Sequence, residues 1–350
     1  MKITKNFKFN ELWQFYKEAN FLYDQKLKLL EDNLDEIKQT WNSLINSGED
    51  INYTNLRKAN DGKTTNSLSL ILYYDSTWIF QHMVSKRNPK GMIEVLLDTC
   101  KWLCRNPESE FTKFYWRPNN FAPELMFTSM RKYFQEIPNS FLYEQFDYFE
   151  FKIAQISENI RINRNCQSRL AESKSKLSEI ADLLKVNLPP LIIDSDALKE
   201  EDLLLPKTKI AFSKNDLKRN RNFIYTKKEE KIVAIASVED SSIGLNLSYY
   251  FNKFNIYYLT PNASNDEKKE IIENLLSEIC NYYLKIDRTF LVTMCNQEIT
   301  NILKTIGVNP IKQYKCLSLA KRDSNGEAER GGFYQATAFL EDFYNQRLSR

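Results

Sequence analysis

The sequence predicts an α/β chain in which one plan, a mixed and mostly antiparallel sheet flanked by helices, is used twice. Three observations predict it. From residue 222 to 320 the apolar patterning runs hairpin, strand, helix, strand, helix, strand. From residue 53 to 152 the same order recurs, a repeat of pattern rather than of letters. The 350 residues exceed one typical domain, and 42% hydrophobic with 27% charged residues is enough to bury a core in each unit.

Taken in order, helical periodicity covers residues 11–24 and 33–46, where Leu34, Ile37, Trp41, Leu44 and Ile45 form one apolar stripe. Strands at 53–58 and 67–74 flank the turn Asn60-Asp61-Gly62-Lys63, whose Asp-Gly pair signals a hairpin. A strand at 77–85 is broken by the basic run 86–90, and helix 91–105 follows. Strand 111–116, helix 123–135 and a last strand or pair at 141–152 complete the first unit. Residues 165–184 read as a charged helix opening the second unit, and Leu188-Pro189-Pro190 marks a turn. Strands are expected at 223–225, 231–238 and 254–260, helix at 265–284, strand at 290–294, helix at 296–306 and strand at 312–319. Gly307 stops the second helix. Residues 323–332 read as a link and 333–348 as an amphipathic helix that packs back on its own domain. The expected units are therefore 1–152, a helical linker over 153–205, 206–322, and a C-terminal helix over 323–350.

Composition excludes several classes of function. A net charge of +3 is too small to argue for nucleic acid, and the cation-rich run 214–221 reads as a solvated loop or, as a third and weaker reading, as a contact for RNA or an acidic partner. Eight glycines leave little material for a glycine-cradled phosphate loop. Six cysteines form no CxxC pair, and Cys100 and Cys104 stack on one helical face as buried thiols rather than as a metal pair. With a single histidine, no metal site is expected. The absence of a signal-like N-terminus, a membrane-length apolar run and a disulfide framework gives the expectation of a cytoplasmic protein.

The order of elements, together with the segment from Asn296 to Val308, resembles the GNAT fold (N-acetyltransferase-like) in two divergent copies. In that family an Asn leads the late helix, a Tyr lies seven residues on, and Leu-Gly-Phe ends it. Here Asn296, Ile306, Gly307 and Val308 fit, while the Tyr position is Leu303, which cannot protonate a departing thiolate. A structural reading, with Gly307 ending the helix and Leu303 in the core, fits the same residues. The resemblance implies acyl-CoA or acetyl-CoA as donor, its arm beside the fourth strand and its diphosphate on the next helix N-terminus.

In the second unit that helix start, Thr260 to Glu267, has no glycine and carries acids that repel a diphosphate. In the first, Val84, Ser85, Lys86, Arg87, Lys90 and Gly91 place cations before a helix, so the first unit is the expected donor site. The alternation Trp78, Phe80, His82, Val84 puts His82 beside that turn on a face with two aromatics, as candidate base or packed residue. Tyr133 is the candidate acid. Arg117, Asn119 and Asn120, beyond a strand C-terminus, are candidates for substrate binding or simply for the turn and cap. Two readings stand: an N-acyltransferase using acyl-CoA or an acyl-carrier thioester on a small amine or protein acceptor, and a non-catalytic tandem serving as a ligand-binding or protein-interaction module.

Overall fold

The computed structural model describes residues 2–4, 7–86, 88–134, 140–248 and 250–348. The first half comprises β1 (Lys2–Thr4), α1 (Phe9–Glu18), α2 (Asp24–Glu31), α3 (Leu34–Asn46), β2 (Asn52–Lys58), β3 (Thr64–Tyr74), β4 (Thr77–Ser85), α4 (Pro89–Arg105), β5 (Phe111–Trp116), α5 (Phe121–Tyr133) and β6 (Phe141–Lys152). The second comprises α6 (Ile153–Ser157), β7 (Cys166–Leu170), α7 (Lys174–Asn187), α8 (Pro190–Ser195), α9 (Glu200–Leu204), α10 (Lys207–Ser213), β8 (Arg219–Lys228), β9 (Lys231–Ser241), β10 (Phe254–Tyr258), α11 (Asn265–Leu284), β11 (Phe290–Cys295), α12 (Gln297–Thr305), β12 (Lys312–Ala320) and α13 (Gly332–Leu348). From β2 to β6 and from β8 to β12 the order of strands and helices follows the pattern in the sequence.

All twelve described strands join one sheet, in the order β1-β2-β3-β4-β5-β12-β6-β11-β10-β9-β8-β7. The two halves interleave at its centre. β12 pairs antiparallel with β5 from Lys315↔Trp116 to Ala320↔Phe111, and with β6 from Lys312↔Tyr148 to Leu319↔Phe141. β6 in turn pairs with β11 from Phe290↔Lys152 to Cys295↔Asp147. Each half thus places its last strand beside the other half's parallel strand. The hydrophobic core follows the sheet: one cluster holds Phe80, Phe114 and Trp116 together with Leu245, Phe251, Met294 and Leu317.

Several local expectations are corrected. Residues 166–170 form edge strand β7 against β8, with the helix beginning only at Lys174. The sequence Cys-Gln-Ser-Arg-Leu alternates in burial, and pairing with β8 overrides the helical pattern around it. The cation-rich run is not a solvated loop, because Arg219 begins β8 and is buried against Glu239. The C-terminal helix packs on α4 of the first half, where Tyr344 Oη donates to Glu94 Oε1 at 2.7 Å and Lys101 pairs with Glu341 at 2.7 Å.

Candidate functional site

Each half contains one parallel pair of strands, and each pair separates partway along. In the first half β4 and β5 are paired from Thr77↔Phe111 to Phe80↔Phe114, after which they diverge. At the divergence β4 carries a bulge against β3, where the register slips between Ser67 and Ser69, and His82 takes a φ of 52°. The bulge breaks the alternation expected from the sequence. Trp78 packs on Trp102 of α4 and Phe80 on Phe114, whereas His82 meets Tyr16, Phe21 and Trp41 on the face covered by α1, α2 and α3.

That first opening is filled by the chain itself. The connection between β9 and β10 crosses into it: Gln81 Nε2 donates to Leu245 O at 3.1 Å, and Asn246 Nδ2 donates to Gln81 Oε1 at 2.7 Å. Leu247 N–H donates to His82 Nε2 at 3.5 Å. Tyr250 of the same segment stacks near Tyr115 and Tyr314. Burial, reinforced by the nearby charge of Lys26, pushes the His82 pKa down to about 3.

The remaining first-half candidates are placed as follows. Lys86 Nζ pairs with Glu18 at 2.6 Å on the surface, and Arg87 lies outside the described residues. Val84 is buried, and Ser85 Oγ accepts from Asn66 Nδ2 at 2.8 Å and donates to Asn88 O at 3.0 Å. The start of α4 is already occupied: Pro89 has no N–H, and Gly91 N–H donates to Asn88 Oδ1 at 2.9 Å. A Cβ at Gly91 would lie 2.5 Å from Asn66 Oδ1 and 2.6 Å from Arg57 Nη1, so side chains cover this helix end. Lys90 Nζ sits over the Tyr344 ring at 5.6 Å. Asn119 and Asn120 are exposed in the turn after β5, closed by Asn120 N–H donating to Arg117 O at 3.0 Å. Tyr133 is partly exposed and stacks on Phe339 of α13, away from the opening.

The second half differs. β10 and β11 share one parallel register position, Phe254↔Thr293, and then separate. Glu239 N–H donates to Lys253 O at 3.0 Å and Leu259 N–H to Val233 O at 3.0 Å, so odd-numbered residues of β10 face β9. By alternation, the main-chain groups of Ile256 and Tyr258 face the gap. A cavity of about 190 Å³ opens there, lined by Asn255 and Tyr257 of β10, Cys295 of β11 and Asn296 at the start of α12. Its far wall comes from the first half, with Lys113 and Tyr115 of β5 and Glu144 of β6. The interleaving of strands is what brings these walls together.

Four charged side chains line this cavity. Lys113 and Asp196 form an ion pair; burial opposes the charge on Lys113, but Asp196 and its neighbours outweigh it and raise its pKa. Asp196 is held by the loop after α8, where Arg221 donates to Asp196 O at 2.5 Å and to Ala197 O at 2.6 Å. Lys253 is 5% exposed, and burial lowers its pKa, with Lys113 adding repulsion against the pull of Glu239 and Asp196. Its Nζ lies 5.7 Å from the Tyr73 ring and 5.8 Å from that of Tyr115. Glu144 is half-buried, and desolvation raises its pKa despite the nearby cations. Among the described residues neither Lys253 Nζ nor the Glu144 carboxylate has a hydrogen-bond or ion-pair partner. The sequence signal for this site was faint, since Lys253 and Glu144 belong to no motif.

At the start of α11, Ser264 Oγ accepts from Glu267 N–H at 3.2 Å, Lys228 pairs with Glu267 at 2.6 Å, and Lys268 pairs with Glu298 at 2.5 Å. Glu267 there is paired with a cation, but no glycine loop is present. Leu303 is fully buried, and Gly307 ends α12 with a φ of 86°, so the late segment takes its structural role. Among the described residues no group of three or more His, Cys, Asp or Glu is gathered for a metal, and no helix is long and apolar enough to cross a membrane.

No protein-family model and no curated protein matches the sequence. Solved structures with a similar chain course include a tandem GNAT protein from the clavulanic acid biosynthesis pathway, 8% identical, with 82% of this chain and 89% of that one covered at a TM-score of 0.45. A GCN5-related N-acetyltransferase from Kribbella flavida is 8% identical, with 81% and 93% covered at a TM-score of 0.44. A conserved protein of unknown function from Staphylococcus epidermidis is 11% identical, with 72% and 90% covered at 0.47. By its own strand order the chain is two similar α/β units, each with a parallel pair that splays partway along, joined through one sheet.

Proposed function

We propose that the chain is an N-acyltransferase whose donor site is the opening between β10 and β11. This places the site in the second half, in preference to the first-half site expected from the sequence. One observation carries the reading. The second opening leaves main-chain groups free beside a cavity with an unpaired acid and an unpaired amine, whereas the first opening is filled by Leu245, Asn246, Leu247 and Tyr250. A free strand edge favours an extended ligand with amide groups of its own. The pantetheine arm of an acyl thioester is such a ligand, and when bound it supplies an activated acyl carbon. The Ile256 and Tyr258 edge would hold that arm. The start of α11, capped by Ser264, offers less to a diphosphate, so acyl-carrier thioesters remain donors to compare with acyl-CoA.

An amine attacks only when uncharged. Glu144, whose burial raises its proton affinity, accepts the proton from the incoming ammonium. The new C–N bond forms as a free β10 N–H donates to the carbonyl oxygen, the C–S bond breaks, and the second proton lost from the amine nitrogen goes to the departing sulfur, which leaves as thiol. Tyr115 keeps its proton, since burial raises its pKa far above the usual value, and it can donate a hydrogen bond to the departing sulfur.

The test is release of free thiol from acetyl- and longer acyl-CoA and from acyl-carrier donors, with mass spectrometry of the amine product. Glu144→Gln should lower kcat by ~10²–10⁴ and remove the rise of rate with pH. No transfer from any donor, with no thermal stabilisation by any donor, would remove this reading.

A further inference from the structure

The cavity between β10 and β11 holds two opposite charges that do not meet. Lys253 and Glu144 both line it, and no ion pair joins them. Leaving a buried charge without a partner is expensive, and the usual relief is a direct pair. The other two charges of the cavity take that relief, because Lys113 and Asp196 are joined. Lys253 instead lies 95% buried, with the ring faces of Tyr73 and Tyr115 5.7 and 5.8 Å from its Nζ and with Glu239 and Asp196 acting on it without a direct ion pair. An ammonium against aromatic faces, with no carboxylate in contact, is set to take an anionic group from outside the chain. Glu144 is set in the same way for a cationic one. A ligand that satisfies both is a small zwitterion.

Size agrees. The cavity of about 190 Å³ has room for a small molecule. A polyamine would bring a second cation against Lys253, and a protein N-terminus would bring no carboxylate to it. We propose that the acceptor is a free α-amino acid, its carboxylate on Lys253 and its ammonium on Glu144. This rests on the N-acyltransferase reading for its role as acceptor, although the binding itself does not. In the bound state the ammonium already faces the group that deprotonates it, so recognition and activation use one carboxylate.

The test is binding without any donor. Glycine, L-alanine and L-threonine are titrated calorimetrically into the full chain, against ethylamine, which lacks the carboxylate, and propionate, which lacks the amine. At least one amino acid should bind tenfold or more tighter than either single-charge analogue. Lys253→Met should weaken that amino acid at least tenfold and leave ethylamine unchanged; Lys253→Arg should retain part of the binding. Glu144→Gln should weaken the amino acid and spare propionate. Ethylamine or propionate binding as tightly as the tightest of the three amino acids, or none of the three binding, overturns the proposal, and both results come from the unsubstituted protein. Amino-acid binding with no acyl transfer would keep this inference and remove the enzyme reading. Transfer to ethylamine as fast as to alanine would do the reverse.

Discussion

Arg219 is a buried cation held on several sides. Its Nη1 donates to Glu239 Oε2 at 2.7 Å, its Nη2 donates to Tyr73 O at 2.9 Å, and the rings of Tyr73, Tyr74 and Phe251 enclose the guanidinium. Tyr74 Oη completes the cluster by donating to Glu239 at 2.6 Å. Arg219→Met alone should cost about 3–5 kcal/mol in urea unfolding, because Glu239 is left charged and buried. Adding Glu239→Gln should recover much of that loss. His82 gives a second prediction at this scale. Its folded pKa is lowered to about 3, while the unfolded chain takes a proton near the usual value of about 6.5. Between these values the unfolded state binds the proton and the folded state does not, so acidification favours unfolding. Stability should therefore fall with pH across this window, by at most about 1.4 kcal/mol per unit. A His82→Phe variant should show a correspondingly flatter pH series in urea. Little of this residue-level detail was legible in the sequence. The bulge at His82 turned its side chain to the other face, and Lys253 and Glu144 become neighbours only through pairings far apart in the chain.

At the scale of elements, the segment between β9 and β10 is held down by α3. Trp41 Nε1 donates to Gly244 O at 2.9 Å, and Thr40 Oγ1 donates to Ile243 O at 2.7 Å. Gly244 has a φ of 94°, and a Cβ there would lie 2.9 Å from the Ile37 Cα, so both backbone and space demand glycine. Gly244→Ala should destabilise by more than about 1 kcal/mol. Hydrogen exchange should show the loss concentrated in residues 242–253 and α3 rather than at the β10–β11 cavity. Elements themselves were largely legible, since hydrophobic period, Gly307 and the Asp-Gly turn are local signals. The strand at 166–170 was not: it gains its strand character from pairing with β8, and a five-residue edge strand leaves little periodicity of its own. The filling of the first opening was likewise illegible, because nothing in residues 242–253 names its destination.

For the whole molecule, the exchange of β6 and β12 makes the two halves one cooperative object. All five tryptophans, at 13, 41, 78, 102 and 116, lie in the first half. Urea unfolding followed by tryptophan fluorescence should therefore coincide with unfolding followed by far-UV circular dichroism, which reports on both halves. Two separated transitions would contradict the shared centre of the sheet. Residues 1–152 expressed alone should fail to give a cooperative transition, since β5 would lack β12 and β6 would lack both its partners. The tandem plan was legible as a repeated order of elements, but the joining of the copies was not. Apolar alternation in β6 and β12 fits any antiparallel neighbour, and only the three-dimensional sheet selects which one.

This arrangement also bears on how the protein is made. The second partner of β5 lies roughly two hundred positions downstream, between Lys315 and Ala320, so a nascent chain leaving the ribosome carries β5 with one edge open until those residues have been made. Truncated products should consequently be caught by chaperones or proteases, whichever half they contain.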